Sequence, residues 1–273
     1  MTALEMAGVV AGYGDARVLD GVSLSVADGE MVCLIGPNGA GKSTCLKVVM
    51  GLLPWTGGEV RLGGVPVPSG GAPDGGRAAL GYVPQVRNTF PSLSVRENLL
   101  VMTPRQWSRA TAERRVGELL GDFPQLAEMS GRSAALLSGG ERQLLALAMA
   151  LVRRPAVLLL DEPSAALSPL AANQVFEIVA RLKEGGIGVL VVEQNARLAL
   201  AVSDRCYVLE AGRVALEGPA SRLLDDPRLG ALYLGGDLPH DHGPSEYLEG
   251  GPAEGDARRA SAAATRPGSA GES

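Results

Sequence analysis

The residues Gly36-Pro37-Asn38-Gly39-Ala40-Gly41-Lys42-Ser43-Thr44 fit the pattern G-x-x-x-x-G-K-[ST]. Glycines at such spacing let backbone N–H groups converge on phosphate oxygens where any Cβ would clash. A helix that begins at Lys42 would aim its partial positive charge at the same oxygens. Lys42 can then reach the β and γ phosphates, and the Ser43 hydroxyl suits Mg²⁺. A second group, Leu158-Leu159-Leu160-Asp161-Glu162, reads as a buried strand ending in two carboxylates. At the carboxyl end of a parallel strand they face the ligand crevice. Asp161 is expected to hold Mg²⁺ through water, and Glu162 to act as general base on an attacking water. A strand ending in Asp-Glu is weak alone. Following the phosphate loop at this distance, it points to a P-loop ATPase.

The elements that must position these groups can be read from periodicity. Residues 31–35 form a short apolar run that ends in the glycine loop, and residues 42–50 continue with helical spacing. Residues 156–160 and 189–192 are fully apolar, as suits central parallel strands buried on both faces. Val22-Ser23-Leu24-Ser25-Val26 alternates with period two before a turn at Asp28-Gly29. Residues 207–215 resemble a hairpin with Ala211-Gly212 at its tip. Residues 94–129, rich in Arg, Glu, Leu and Ala, predict mostly helix. Two stretches break the pattern. Residues 63–76 are rich in Gly and Pro and are expected to form an exposed loop. Residues 236–273 lack periodic apolar residues and are expected to be a disordered tail. The fold class predicted is α/β with a helical insert.

Composition narrows the classes further. The 273 residues are 46% apolar but only 4% aromatic, so aliphatic packing must dominate the core. No apolar run approaches the ~20 residues that span a bilayer, and the longest covers residues 144–152. The N-terminus shows no signal-peptide pattern, so a cytoplasmic location with peripheral membrane contact is expected. Cys33, Cys45 and Cys206 stand far apart and read as small buried hydrophobes. The net charge of −5 gives no footprint for nucleic acid, and most of it falls in the tail.

Leu137-Ser138-Gly139-Gly140-Glu141-Arg142-Gln143 supplies a second helix start suited to a γ-phosphate. This stretch resembles the signature loop of the ABC family. A P-loop kinase or GTPase has no use for it. The resemblance covers residues 4 to about 235. It implies a P-loop ATPase core with an N-terminal antiparallel β part and a helical subdomain inserted at about 89–149, with 1–235 as the nucleotide-binding domain. It also implies that Ser138, Gly139, Gly140 and Glu141 contact ATP held on another subunit's P-loop, in a head-to-tail dimer. By the same resemblance Tyr13 stacks on adenine, and Gln85 reaches Mg²⁺ and the water while touching a membrane partner.

Three departures from the broad family pattern identify a subgroup. Glu141 stands where the signature has Gln, Ser168 stands where the loop after the second motif ends in Asp, and Gln194 replaces the switch histidine. The only histidines, His240 and His242, lie in the tail. These features resemble the second ATP-binding subunit of branched-chain (hydrophobic) amino-acid importers. That implies ATP and Mg²⁺ as cofactors and two transmembrane permease subunits as partners. It also implies a second ATPase subunit (a paralogue, or a second copy), an external solute-binding protein acting indirectly, and a place on the cytoplasmic face. A Gln amide can donate a hydrogen bond but cannot titrate, so Gln194 is expected to position the γ-phosphate and water. Val86-Arg87-Asn88 departs from the subgroup's wording, which keeps urea and short-chain amide importers open. A non-transport ABC ATPase and an idle binding module are the readings from other classes. The intact Lys42, Asp161 and Glu162 speak against the idle module.

Overall fold

The computed structural model describes residues 1–70 and 79–234. The predicted tail at 236–273 and much of the predicted loop at 63–76 therefore lie outside the described residues. Within that loop, Gly63 and Gly64 adopt left-handed φ values of 54° and 77° and turn the chain into a short strand.

Two kinds of strand build two sheets. The long N-terminal strands β1 (Thr2–Tyr13) and β2 (Ala16–Ala27) pair antiparallel, and β4 (Trp55–Leu62) and β5 (Val65–Pro66) extend them in the order β2-β1-β4-β5. The short apolar strands β3 (Met31–Ile35), β7 (Val157–Asp161) and β8 (Gly188–Val192) are buried at every residue. With β6 (Leu80–Val83), β9 (Arg205–Glu210) and β10 (Arg213–Pro219) they form a second sheet ordered β10-β9-β3-β8-β7-β6. All its pairings are parallel except β9 with β10.

Burial on both faces follows from where alternate side chains go. Met31, Cys33 and Ile35 of β3 join the cluster that also holds Leu158, Leu160, Val189 and Val191. Val32 and Leu34 point to the opposite cluster with Leu159, Leu190 and Val192, packed on β1, β2 and β4. Helix α1 (Lys42–Val49) joins that second side through Cys45, Leu46, Val48 and Val49. The first side is covered by α2 (Val95–Val101), α3 (Arg109–Asp122), α4 (Pro124–Glu128), α5 (Gly139–Leu151), α6 (Pro169–Glu184) and α7 (Ala196–Val202), with α8 (Ala220–Leu223) and α9 (Pro227–Leu234) completing the chain. All three cysteines are free and buried. No described helix is long and apolar enough to cross a membrane.

The hairpin β9–β10 turns at Ala211 and Gly212, both at positive φ (46° and 78°), as a two-residue type I′ turn requires. Its tip stitches distant parts together. The Gly212 N–H donates to the Ala40 carbonyl (3.1 Å), and the Gly212 carbonyl accepts from the Asp20 N–H (2.9 Å). Arg213 pairs with Asp20 across the same junction.

Candidate functional site

The carboxyl ends of β3, β6, β7 and β8 lie along one edge of the parallel sheet, where open α/β sheets bind ligands. At the end of β3 the chain turns sharply. Gly36, Gly39 and Gly41 have φ of 150°, 81° and 106°. A Cβ on Gly36 would fall 2.1 Å from the Leu209 carbonyl oxygen, and one on Gly41 would fall 2.8 Å from Leu19 Cδ2. Only glycine fits at either position. Gly41 is also the N-cap of α1 and brings no side-chain hydrogen bond, so the N-terminal amides of the helix stay open toward the loop. Lys42 is buried, and its Nζ donates to the carbonyls of Gly36 (2.7 Å) and Pro37 (3.0 Å), which holds the ammonium inside the loop. Burial lowers its pKa, while Glu162 and Asp161 pull the other way.

Asp161 closes β7 against this loop. Its Oδ1 accepts from Ser43 Oγ and its Oδ2 from the Tyr82 hydroxyl, both at 3.4 Å. Burial is the largest influence raising the Asp161 pKa, followed by the charge of Glu162. Those two hydrogen bonds and Lys47 oppose the rise. Burial likewise pushes the Tyr82 phenol up to about 12, with Asp161 adding to the effect. Ser43 and Asp161 thus offer two adjacent hard oxygens. Among the described residues no cluster of three His, Cys, Asp or Glu side chains could cage a metal unaided. That donor set suits a cation that takes its remaining ligands from phosphate and water.

Glu162 sits one residue beyond the strand at φ 49°, a left-handed conformation costing on the order of 1 kcal/mol for a non-glycine residue. Its N–H is held by the Val192 carbonyl (2.8 Å). Two amides grip its carboxylate. Gln85 Nε2 donates to Oε2 at 2.6 Å, and Gln194 Nε2 donates to Oε1 at 2.7 Å. Residues named separately in the sequence, after β6, β7 and β8, therefore meet at one carboxylate.

One neighbour carried no sequence role. Glu193, between β8 and Gln194, is buried, and its Oε1 and Oε2 accept from the backbone N–H groups of Ser164 (2.9 Å) and Gln194 (3.3 Å). Burial raises its pKa against those bonds. A carboxylate directly after a wholly apolar strand was the available signal, because such a group must find donors to be buried.

The signature residues stand apart from this cluster. Ser138 is the N-cap of α5, with its Oγ accepting from the Glu141 N–H (3.3 Å) while Glu141 Oε2 accepts from the Ser138 N–H (2.6 Å). Glu141 is thus committed to a capping box, a role open to both Glu and Gln. The Ser138 backbone bond holds its carboxyl below the usual range. Ser138, Gly139, Gly140 and Glu141 line a cavity of about 540 Å³ with Ala166, Leu167 and Ser168, and no residue of the phosphate loop reaches it. Ser168 itself caps α6 through the Ala171 N–H (3.3 Å), so a serine replaces an aspartate there without loss of the cap. Tyr13, at the end of β1, is half exposed, and Lys47 Nζ of α1 donates to its hydroxyl at 3.1 Å.

The family described as "ABC transporter" matches residues 19–165. The high-affinity branched-chain amino acid transport ATP-binding protein BraG of Pseudomonas aeruginosa is 40% identical over 227 residues, covering 82% of this chain and 96% of that protein. A solved ATP-binding cassette of an ABC transporter in its ADP conformation superposes with a TM-score of 0.78 at 29% identity, covering 86% of this chain and 99% of its own. A dimeric cassette in a post-hydrolysis state, bound to ADP and Pi, gives 0.68 at 28% identity over 80% of this chain and 98% of its own.

Proposed function

This chain belongs to the ABC transporter family as an ATP-hydrolysing subunit, and from that premise we propose that it powers the import of branched-chain or other hydrophobic amino acids. The observation that carries the chemical part is the pair of amides on Glu162, at 2.6 and 2.7 Å. With both carboxylate oxygens fixed by Gln85 and Gln194, Glu162 presents a remaining lone pair to a water in line with the γ-phosphorus. The water oxygen bonds to phosphorus, its proton passes to Glu162, and the bond to the β,γ-bridging oxygen breaks to leave ADP and phosphate. Lys42 compensates the charge on the β and γ phosphates, and the open N-terminus of α1 receives their oxygens. Ser43 and Asp161 would hold Mg²⁺, with Gln85 as a third contributor. When bound, the ion neutralises phosphate charge. Gln194 stands in for a histidine and keeps its donor role at every pH near neutrality.

Ser138, Gly139, Gly140 and the Glu141 capping box are assigned to ATP carried by a second ATPase subunit, a paralogue or another copy, in a head-to-tail dimer. Their cavity is separate from the phosphate loop, which supports that division. Tyr13 is assigned to the adenine face. Residues 1–235 act as the nucleotide-binding domain, with about 89–149 as its helical part. The dimer works beneath two permease subunits at the cytoplasmic face, with an external solute-binding protein delivering the solute. A urea or short-chain amide importer is the second reading, kept open by Val86-Arg87-Asn88, which departs from the amino-acid subgroup's wording. Val86 is largely exposed, and Asn88 donates to Gln143 Oε1 at 2.9 Å.

Two measurements test these assignments. Glu162→Gln should lower ATP turnover roughly 10²- to 10⁴-fold while ATP binding persists, and wild-type-like turnover would remove Glu162 as base. In proteoliposomes holding the assembled transporter, a binding protein loaded with leucine should stimulate hydrolysis. Stimulation by urea instead would transfer the solute assignment to the second reading.

A further inference from the structure

Glu193 is a buried acid that the hydrolytic scheme above does not use. Its carboxylate accepts from backbone N–H groups, and it stands at the junction of the three strands that carry the site. Its own N–H donates to the Leu34 carbonyl on β3, the strand leading into the phosphate loop, at 3.4 Å. Its Oε1 takes the Ser164 N–H, on the loop that leaves Glu162. Its Oε2 takes the N–H of Gln194. The segment that begins at Ser164 runs on to Ala166, Leu167 and Ser168, which line the cavity beneath the signature residues.

We propose that Glu193 is a positioning residue for hydrolysis: its carboxylate bridges the backbone at Ser164 and Gln194 and thereby fixes where the Glu162 carboxylate and the Gln194 amide meet. Stability alone gives little reason to bury an acid here, because a well-packed apolar side chain avoids the desolvation cost that a carboxylate brings. Geometry supplies the reason. Glu162 is held at a left-handed φ, with its N–H on Val192, and the chain must be pinned on the far side as well if its side chain is to stay between Gln85 and Gln194. Ser164, two residues on, is where Glu193 pins it. The same bridge ties the start of the loop under the signature cavity to the residue that takes the histidine's place. The inference rests on Glu162 as the base.

The test compares Glu193→Gln and Glu193→Leu with wild type in the full-length protein. A Gln side chain keeps the shape but must turn its NH₂ toward one of two N–H donors, and Leu accepts from neither. Both variants should lower kcat about 10²-fold, the scale of a misplacement near 1 Å, with KM for ATP and ADP binding unchanged within about threefold. Thermal stability should hold or rise in the Leu variant. Combined with Glu162→Gln, the Gln variant should add no further loss beyond about twofold, because the residue it positions is already gone. Turnover within twofold of wild type for both variants, or losses that multiply in the double variant, would overturn the proposal. Should the Leu variant not fold, the shape-conserving Gln variant carries the same comparison. Full activity in Glu162→Gln alone would instead remove the base assignment, an outcome distinct from loss in Glu162→Gln with none in Glu193→Gln.

Discussion

Two helix N-termini in this chain read alike as anion sites, but they are built in opposite ways. Helix α1 begins at a left-handed glycine with no side-chain cap, so its first amides keep their hydrogen-bonding capacity for a ligand. Helix α5 begins with Ser138 and Glu141 capping each other, which satisfies two backbone donors and sets a carboxylate beside the helix start. An uncapped helix end costs folding free energy that a phosphate can return on binding. A capped end is stable alone and gains less from the same phosphate. The difference fits the proposed division, in which the phosphate loop would bind nucleotide within one chain and the signature helix would add its share when a second subunit presents a bound nucleotide to it.

The largest test of that contrast is Gly36→Ala. Its Cβ would strike the Leu209 carbonyl, so ATP binding should weaken by about 10²-fold or more in calorimetry, with a lower Tm. Gly140→Ala comes next. A Cβ there would lie 3.1 Å from Ala171 Cβ, so turnover of the assembled dimer should fall about tenfold while the single subunit binds ATP as before. Equal loss of binding in both variants would break the division of labour. Ser138→Ala should cost about 1 kcal/mol in denaturant unfolding by removing the α5 cap, with no change in the Kd for ATP. Glu141→Gln should change stability least, since the box survives. Its pH dependence sharpens the point. The Glu141 carboxyl is held below its ordinary 4.5, so its contribution is complete above about pH 4.5 and is lost as the pH falls through the lowered value. The Tm difference between wild type and this variant should therefore shrink on acidification.

Much of this was legible because it is local. The run ending at Ile35, the glycines at fixed offsets and the apolar strand before Asp161 each carry their own signal. The strand β1 was not legible, since register shifts between Met6 and Val9, around a left-handed Gly8, break the alternation that marks a strand. The clamp on Glu162 was also hidden. Gln85 and Gln194 were named for other duties, and only the neighbouring ends of β6, β7 and β8 show that both amides share one carboxylate. Glu193 escaped because its partner Ser164 is 29 residues away in sequence. Glu141 could be seen as a departure, yet its turn back onto Ser138 depends on the cap geometry of α5.

The hairpin tip at Gly212 has a consequence for how this chain can vary. A Cβ there would meet the Val18 carbonyl oxygen at 2.1 Å, while the residue's own amide and carbonyl serve the phosphate loop and the first sheet. Most surface turns accept insertions freely. This one acts as a keystone between three segments: an extra residue at Ala211-Gly212 would shift the Ala40 carbonyl and, with it, the nucleotide loop. Tolerance should instead lie along the solvent side of β10 beyond the Arg213–Asp20 pair, where Ala215 and Glu217 face outward and can be exchanged without disturbing what the turn holds.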